Sequence, residues 1–269
     1  MSLLVAEGVA KRYGSGWSGA RDRRRVLDGA DFSIAPGESV ALVGESGCGK
    51  STLSRILLGL EKPDAGRVLF RGRDLRETPP KDLRRAAQIV FQDSVGALNP
   101  ARSVGWSIGE PLRHLTDLDG AARDRRVAEL LAAVSLPPDA ATRLPGQLSG
   151  GQLQRACIAR ALAPEPELVV LDEAVSNLDL TLQIQILDLL ADLRARTRAA
   201  FLLVTHDLRL VRRFAGRVAV LAEGRIVEDA PVGAQLQLNH PASRRLVEAM
   251  LPAAPRPRPG TLAEDVHGA

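Results

Sequence analysis

The chain has 269 residues, enough for one large or two small domains, and its 45% hydrophobic and 25% charged residues allow an ordinary globular core. No apolar run approaches the roughly 18 residues of a membrane helix. The sequence also opens without a charged-then-apolar leader, so the chain is expected in the cytosol with any membrane role supplied by partners. The net charge of +4 does not argue for nucleic acid: four of the 36 basic residues are lysine, the arginines are dispersed, and 3% aromatics leave few platforms for bases.

Residues 3–9 and 26–34 alternate apolar and polar side chains, as antiparallel strands do, around a Gly- and Arg-rich loop. Within that loop Arg21–Arg25 is the densest basic cluster and reads as a solvated face. Ser39–Val43 is a short buried strand, and a helix is expected over 50–60. Strands follow at 67–70 and 88–91, then helices at Val104–Leu115, 120–134 and 150–163, a helical block set between strands. A strand at 168–171, a helix at 181–196 and a strand at 200–204 resume the alternation, with Leu182, Ile186, Leu189, Leu190 and Leu193 on one helical face. The helix Leu208–Phe214 continues this α/β order, which implies a parallel sheet covered by helices. Residues 218–221 and 226–229 form a hairpin pattern, and the Pro- and Arg-rich stretch 252–269 is expected to be disordered.

Three segments carry chemistry. Gly44-Glu45-Ser46-Gly47-Cys48-Gly49-Lys50-Ser51, followed by Thr52, joins a strand to a helix, the context a phosphate-binding loop requires. Its glycines are expected at backbone angles a Cβ would forbid. Loop N–H groups and the helix N-terminus then face a phosphate, with Lys50 as a point charge and the Ser51 hydroxyl offered to Mg²⁺. Asp172 ends an apolar run at the carboxyl edge of a strand, where open α/β sheets bind ligands, and Glu173 beside it can accept a proton from water. Between them lies Leu148-Ser149-Gly150-Gly151-Gln152, small residues opening a helix whose N–H groups and dipole can meet a phosphate.

Cys48 and Cys157 are the only cysteines, so a structural disulfide is not expected. Cys48 is either a thiol whose pKa is lowered by the helix N-terminus and Lys50, or a small buried inert side chain. No cysteine or histidine cluster has metal-ligand spacing.

Phosphate loop, LSGGQ and strand-end acidic pair, in this order, resemble the ATP-binding-cassette (ABC) ATPases over about residues 3–252. The resemblance implies an α/β fold: a P-loop NTPase core (1–92 and 164–251), an antiparallel β subdomain and an inserted α-helical subdomain (93–163). It implies ATP and Mg²⁺ as ligands, with Asp172 holding Mg²⁺ mainly through water and Glu173 catalytic. Four further positions match the cassette pattern in turn. Gln92 resembles the lid glutamine that touches Mg²⁺ and water. Ser176-Asn177-Leu178-Asp179 resembles the loop crossing the dimer interface. His206 resembles the switch histidine that contacts the γ-phosphate, and Tyr13 the aromatic that stacks on adenine. Such ATPases sandwich ATP between one subunit's phosphate loop and the other's Ser149–Gln152 equivalent, so a dimer is implied.

Finer features are similar to the peptide- and nickel-importer branch: Phe91-Gln92-Asp93-Ser94 with Ala97-Leu98-Asn99-Pro100, Leu178-Asp179-Leu180-Thr181-Leu182-Gln183, and His240-Pro241 followed by Leu246 and Met250-Leu251-Pro252. Within it, Asp172-Glu173-Ala174-Val175-Ser176-Asn177 resembles nickel-importer ATP-binding subunits, and no cysteine follows Cys157 where many peptide-importer subunits carry a cysteine-rich extension. Peptide or metallophore cargo remains the alternative. The implied partners are a second ATP-binding subunit, two permeases with a coupling helix seated near residues 92–106, and an external binding protein. The implied place is the cytoplasmic face of a bacterial inner membrane. A DNA-maintenance cassette would insert long coiled coils between phosphate loop and signature, and no sustained heptads occur there.

Overall fold

The computed structural model describes residues 2–14, 24–176, 178–233 and 236–248. Of the sequence features above, Arg21 to Arg23, Asn177, Met250 to Pro252 and the tail 252–269 lie outside the described residues.

Strands β1 (Leu4–Tyr13) and β2 (Arg24–Ile34) pair antiparallel, burying Leu4, Ala6 and Val9 against Leu27, Ala30 and Phe32. Strand β3 (Ser39–Val43) is buried along its whole length and leads through the glycine loop into α1 (Lys50–Leu57). This helix stops short of residue 60 because Gly59, at φ 64°, takes the left-handed conformation beyond its end. There the Gly59 N–H donates to Ile56 O (3.0 Å) and the Leu60 N–H to Arg55 O (2.9 Å), the paired bonds of a Schellman turn. Strands β4 (Ala65–Phe70) and β5 (Arg73–Asp74) complete a four-stranded antiparallel sheet in the order β2-β1-β4-β5.

Helix α2 (Pro80–Ala86) then precedes strand β6 (Ala87–Val90). Four helices follow without an intervening strand: α3 (Ser94–Ala97), α4 (Val104–Leu115), α5 (Gly120–Ala133) and α6 (Gly150–Leu162). The chain returns through β7 (Leu168–Asp172), α7 (Leu180–Arg196), β8 (Ala200–Thr205), α8 (Leu208–Phe214) and the antiparallel pair β9 (Arg217–Ala222) and β10 (Arg225–Pro231), ending in α9 (Pro241–Glu248). Strands β5 and helices α2, α3 and α9 are additions to the sequence-based expectation. Each is short, and α2 begins on a Pro-Pro pair that reads equally as a turn.

The second sheet runs β10-β9-β3-β8-β7-β6, parallel everywhere except its β9–β10 edge. Both its faces are covered, which is why β3, β7 and β8 read as unbroken apolar runs. Alternation along β7 divides the core: Leu168 and Val170 pack with Leu42, Leu53, Ile56 and the antiparallel sheet. Val169 and Leu171 pack with α4–α7 through Ile108, Leu131, Ile158 and Ile186. Among the described residues no helix is long and apolar enough to cross a membrane.

Arg217, at the start of β9, fastens the two sheets. Its guanidinium donates to Glu38 Oε1, Asp229 Oδ2 and the Ser33 carbonyl, each at 2.6 Å, and lies over the Phe32 ring. With its side chain only 21% exposed, replacement by alanine strands partly buried acceptors. R217A is expected to cost about 1.5–3 kcal/mol, read as a drop in melting temperature of about 2–4 °C for each kcal/mol. R217K should recover only part, because an ammonium cannot span three acceptors in one plane.

Candidate functional site

The parallel register gathers the site. Val43 pairs with Thr205, Asp172 with Val204 and Val90 with Leu171, so four strands end along one edge and release their loops there. Those loops carry Gly44–Ser51, Gln92, Glu173 and His206.

In the glycine loop, Gly47 (φ 76°) and Gly49 (φ 111°) occupy the left-handed region as expected, but Gly44 does not. Gly44 is required for a different reason: a Cβ there would stand 2.3 Å from the Leu221 carbonyl oxygen of β9. Close approach of backbone to backbone replaces the backbone-angle argument at that position. The Lys50 side chain is buried, and its Nζ donates to the carbonyls of Gly44 (2.8 Å) and Glu45 (2.9 Å), holding the loop arched around the ammonium. The Glu45 and Ser46 side chains are exposed, and Thr52 is half-buried one residue beyond Ser51. Cys48 is partly buried, and burial pushes its thiol up from the ordinary value, outweighing the pull of Lys50. The lowered thiol pKa suggested by a helix N-terminus is therefore corrected: desolvation wins. Cys157 is buried in α6 and raised further, to about 11, and both cysteines are free.

Ser51 Oγ donates to Asp172 Oδ1 at 3.0 Å across 121 residues of sequence. Asp172 is 6% exposed. Burial raises its carboxyl, opposed by the Ser51 hydrogen bond and by the charge of Arg55. Arg55 stands one turn beyond Ser51 on α1 and had no place among the sequence-derived candidates; its i+4 spacing from Ser51 is the signal that could have found it. Gln92 joins Ser51, Asp172, Arg55, Asp93 and Arg160 around a cleft of about 590 Å³. Arg160 also donates to the Ala97 carbonyl, linking α6 to α3 at the cleft margin.

Glu173 has φ 49°, uncommon for a residue with a side chain. Its N–H still donates to Val204 O at 3.0 Å, so β7 keeps its hold on β8 through the turn. Its Oε1 lies 3.7 Å from His206 Nδ1, too far for a direct hydrogen bond and close enough for one to form over a small shift. The Glu173 side chain is 22% exposed and that of His206 58%.

The signature segment does not line this cleft. Ser149 caps α6: its Oγ accepts from the Gln152 N–H, and Gln152 Oε1 accepts from the Ser149 N–H. None of Ser149, Gly150, Gly151 or Gln152 lines the cleft holding Ser51 and Asp172. Tyr13, at the end of β1, is 42% exposed, and its hydroxyl is bonded to Glu61. Arg245 of α9 reaches Glu45 in the phosphate loop (3.2 Å), a contact between distant parts of the sequence that no local pattern announces.

The ABC transporter family model matches residues 27–176, which span the glycine loop, the signature and the acidic pair. The chain belongs to the ABC transporter family. The cassette is 56% identical to the nickel import ATP-binding protein NikE of Rhodospirillum rubrum over 270 residues, covering 99% of this chain and 97% of that one. It is 47% identical to NikE of Escherichia coli O157:H7, covering 97% and 99%. Among solved structures it resembles the dimeric ATP-binding cassette MJ0796 in a post-hydrolysis state bound to ADP and Pi, with TM-score 0.75, 29% identity, and coverage of 86% and 100%. It also resembles cbiO1 of Clostridium perfringens, part of the ABC transporter complex cbiONQ, with TM-score 0.75, 28% identity, and coverage of 86% and 88%.

The residues present fit a nucleotide and a hard cation. A Cβ at Gly44 would collide with backbone, so the loop is built around glycine, and the Ser51 hydroxyl and Asp172 carboxylate form the all-oxygen pair that suits Mg²⁺. The buried carboxylate carries a stability cost. Because folding raises the Asp172 pKa, the charged form destabilises the fold at pH values above the raised pKa; that burden is relieved as pH falls through it. D172N is therefore expected to raise the melting temperature of the nucleotide-free protein at neutral pH while lowering ATP turnover. Parent and variant should converge in stability under acid conditions, as calorimetry across pH would record.

Proposed function

We propose that this cassette is the ATP-hydrolysing subunit of a binding-protein-dependent importer of nickel, free or chelated, working beside a second ATP-binding subunit and two permeases at the cytoplasmic face of a bacterial inner membrane. The observation that supports hydrolysis is the convergence of Ser51, Asp172, Glu173 and His206 on one edge of a parallel sheet. The observation that supports nickel is near full-length similarity, 46–56%, to proteins named for nickel import.

The residues divide the work. Lys50 would exchange its bonds to the Gly44 and Glu45 carbonyls for phosphate oxygens, while the N–H groups of Gly47–Ser51 face the same anion. Ser51, Gln92 and Asp172 would hold Mg²⁺, which supplies charge neutralisation between the phosphates. Glu173, turned out of the strand by its left-handed backbone, accepts a proton from the attacking water. His206 is close enough to orient Glu173 and exposed enough to contact a phosphate. Tyr13 offers its ring to the base. The signature Ser149–Gln152 would serve the site of a partner subunit, since it stands away from this chain's own cleft. The helical subdomain around residues 92–106 would be the surface offered to the permeases.

E173Q should retain ATP binding and lose turnover by about 10²–10⁴-fold, the usual effect of removing a general base; single-turnover kinetics with the assembled transporter measure both. Near-parental turnover would remove Glu173 from that role. For the cargo, vesicles holding the permeases, both ATP-binding subunits and the binding protein are expected to accumulate radioactive nickel in an ATP-dependent way. Uptake of a dipeptide without nickel would replace the nickel assignment with the peptide one and leave the ATPase assignment standing.

A further inference from the structure

Tyr13 is the chain's single tyrosine, and it is held more firmly than a surface aromatic needs to be. Its hydroxyl donates to Glu61 Oε1 and has the Thr52 hydroxyl as a second polar neighbour, immediately beyond the phosphate loop. Glu61 is itself gripped: Lys11 Nζ lies 3.0 Å from the same carboxylate oxygen. That ammonium also donates to the Lys62 carbonyl at 2.7 Å and stands 5.6 Å from the centre of the Tyr13 ring. The side chains of Lys11 and Glu61 are only 14% and 20% exposed, so this pair is better shielded than most surface ion pairs. Asp64 lies 3.8 Å from Lys11 and accepts from the Arg12 N–H, tying the end of β1 to the loop that follows α1.

The charges agree with the geometry. Burial works to raise the Glu61 carboxyl, but the bonds from Tyr13 and Lys11 outweigh it and hold Glu61 below the ordinary range. Burial and the bond to Glu61 push the Tyr13 phenol up, so the phenol remains the donor. Tyr13 as a whole is 42% exposed while its hydroxyl is bonded to Glu61.

We propose that Glu61 is a positioning residue for nucleotide binding: by accepting from the Tyr13 hydroxyl on a carboxylate held by Lys11, it presents the ring already ordered as a platform for the base. Without that bond the ring must be ordered when nucleotide binds, a cost of about 0.5–1.5 kcal/mol per side chain. This inference rests on the reading of Tyr13 as the base platform.

The test uses the full-length chain assembled with its partner subunits, with steady-state ATPase kinetics and competition by inorganic tripolyphosphate, which has no base. E61A and Y13F are each expected to raise the KM for ATP about two- to tenfold, the ordering cost expressed as affinity. In E61A, kcat and inhibition by tripolyphosphate should match the parent. The double variant should be no worse than either single one, because both remove the same bond. E61Q, which keeps an acceptor for the hydroxyl, should fall nearer the parent than E61A and guards against a folding defect. Y13A should raise KM more, about five- to a hundredfold, from lost stacking. Parental KM in E61A beside a raised KM in Y13A would overturn the role of Glu61 alone. Parental KM in Y13A would overturn the platform reading itself. Weaker tripolyphosphate inhibition in E61A would show that Glu61 acts on the phosphate loop, and would equally overturn the proposal.

Discussion

The rest of the structure depends on the common direction of β3, β6, β7 and β8. Because they run parallel and in register, the segments that leave their carboxyl ends emerge on one edge, although residues 43, 90, 172 and 205 are scattered through the sequence. Burying both faces of this sheet demands apolar residues at every position of β7 until the last. Asp172 is the point where that apolar run meets the site, so its carboxylate both ends a core strand and lines the cleft. The bond from Ser51 is what makes the position tolerable, since it gives a buried carboxylate a donor from the very helix that opens the phosphate site.

A second consequence concerns what the glycine loop must fit around. β9 lies beside β3, and its Leu221 carbonyl leaves no room for a Cβ on Gly44. On its other side Lys50, buried, donates to two loop carbonyls, those of Gly44 and Glu45. The loop therefore keeps its arch by backbone packing on one side and by a buried cation on the other. Such preorganisation reduces what must be ordered when an anion arrives. Under the proposed role of Tyr13, the Lys11–Glu61 pair that holds its hydroxyl would apply the same economy to the base.

Much of this was legible in the sequence because the strong signals are short-range. The four-residue apolar runs Val40–Val43 and Leu168–Leu171 locate β3 and β7, and the limits of Val104–Leu115 agree to the residue because Ser103 caps it and its apolar spacing is regular. The glycine loop and the acidic pair announce themselves by spacing. What escaped depends on partners distant in sequence. Gly44 looked like a backbone-angle glycine because the Leu221 carbonyl is 177 positions away. Cys48 looked activated because the nearby helix terminus and Lys50 are visible in sequence while the desolvation that dominates is not. Nothing local to Glu61 or Arg245 names a partner, and only folding brings them to Tyr13 and Glu45. The end of α1 differs from the expected 60 for a milder reason: Gly59 can interrupt or extend a pattern, and its left-handed turn decides for interruption.

The signature segment shows why one chain is an incomplete machine under the proposed function. The capping box of Ser149 and Gln152 satisfies the Gln152 N–H and fixes the start of α6. In any α-helix the first N–H groups lack intrahelical acceptors; here the first belongs to Gly150, which has no side chain to shield it, while Gly151 is buried against Leu182. Gly150 is exposed, and nothing stands within 4 Å of where its Cβ would be. An anion could approach this helix end closely, yet the chain's own phosphate loop and Asp172 line a different cleft. A helix terminus built with donors and bare backbone, set apart from the Lys50 loop, is consistent with a site completed from outside the chain. In the proposed two-subunit assembly, nucleotide would bridge that gap. Subunit closure and phosphate recognition would then be one event, and the loss of the γ-phosphate would remove the bridge.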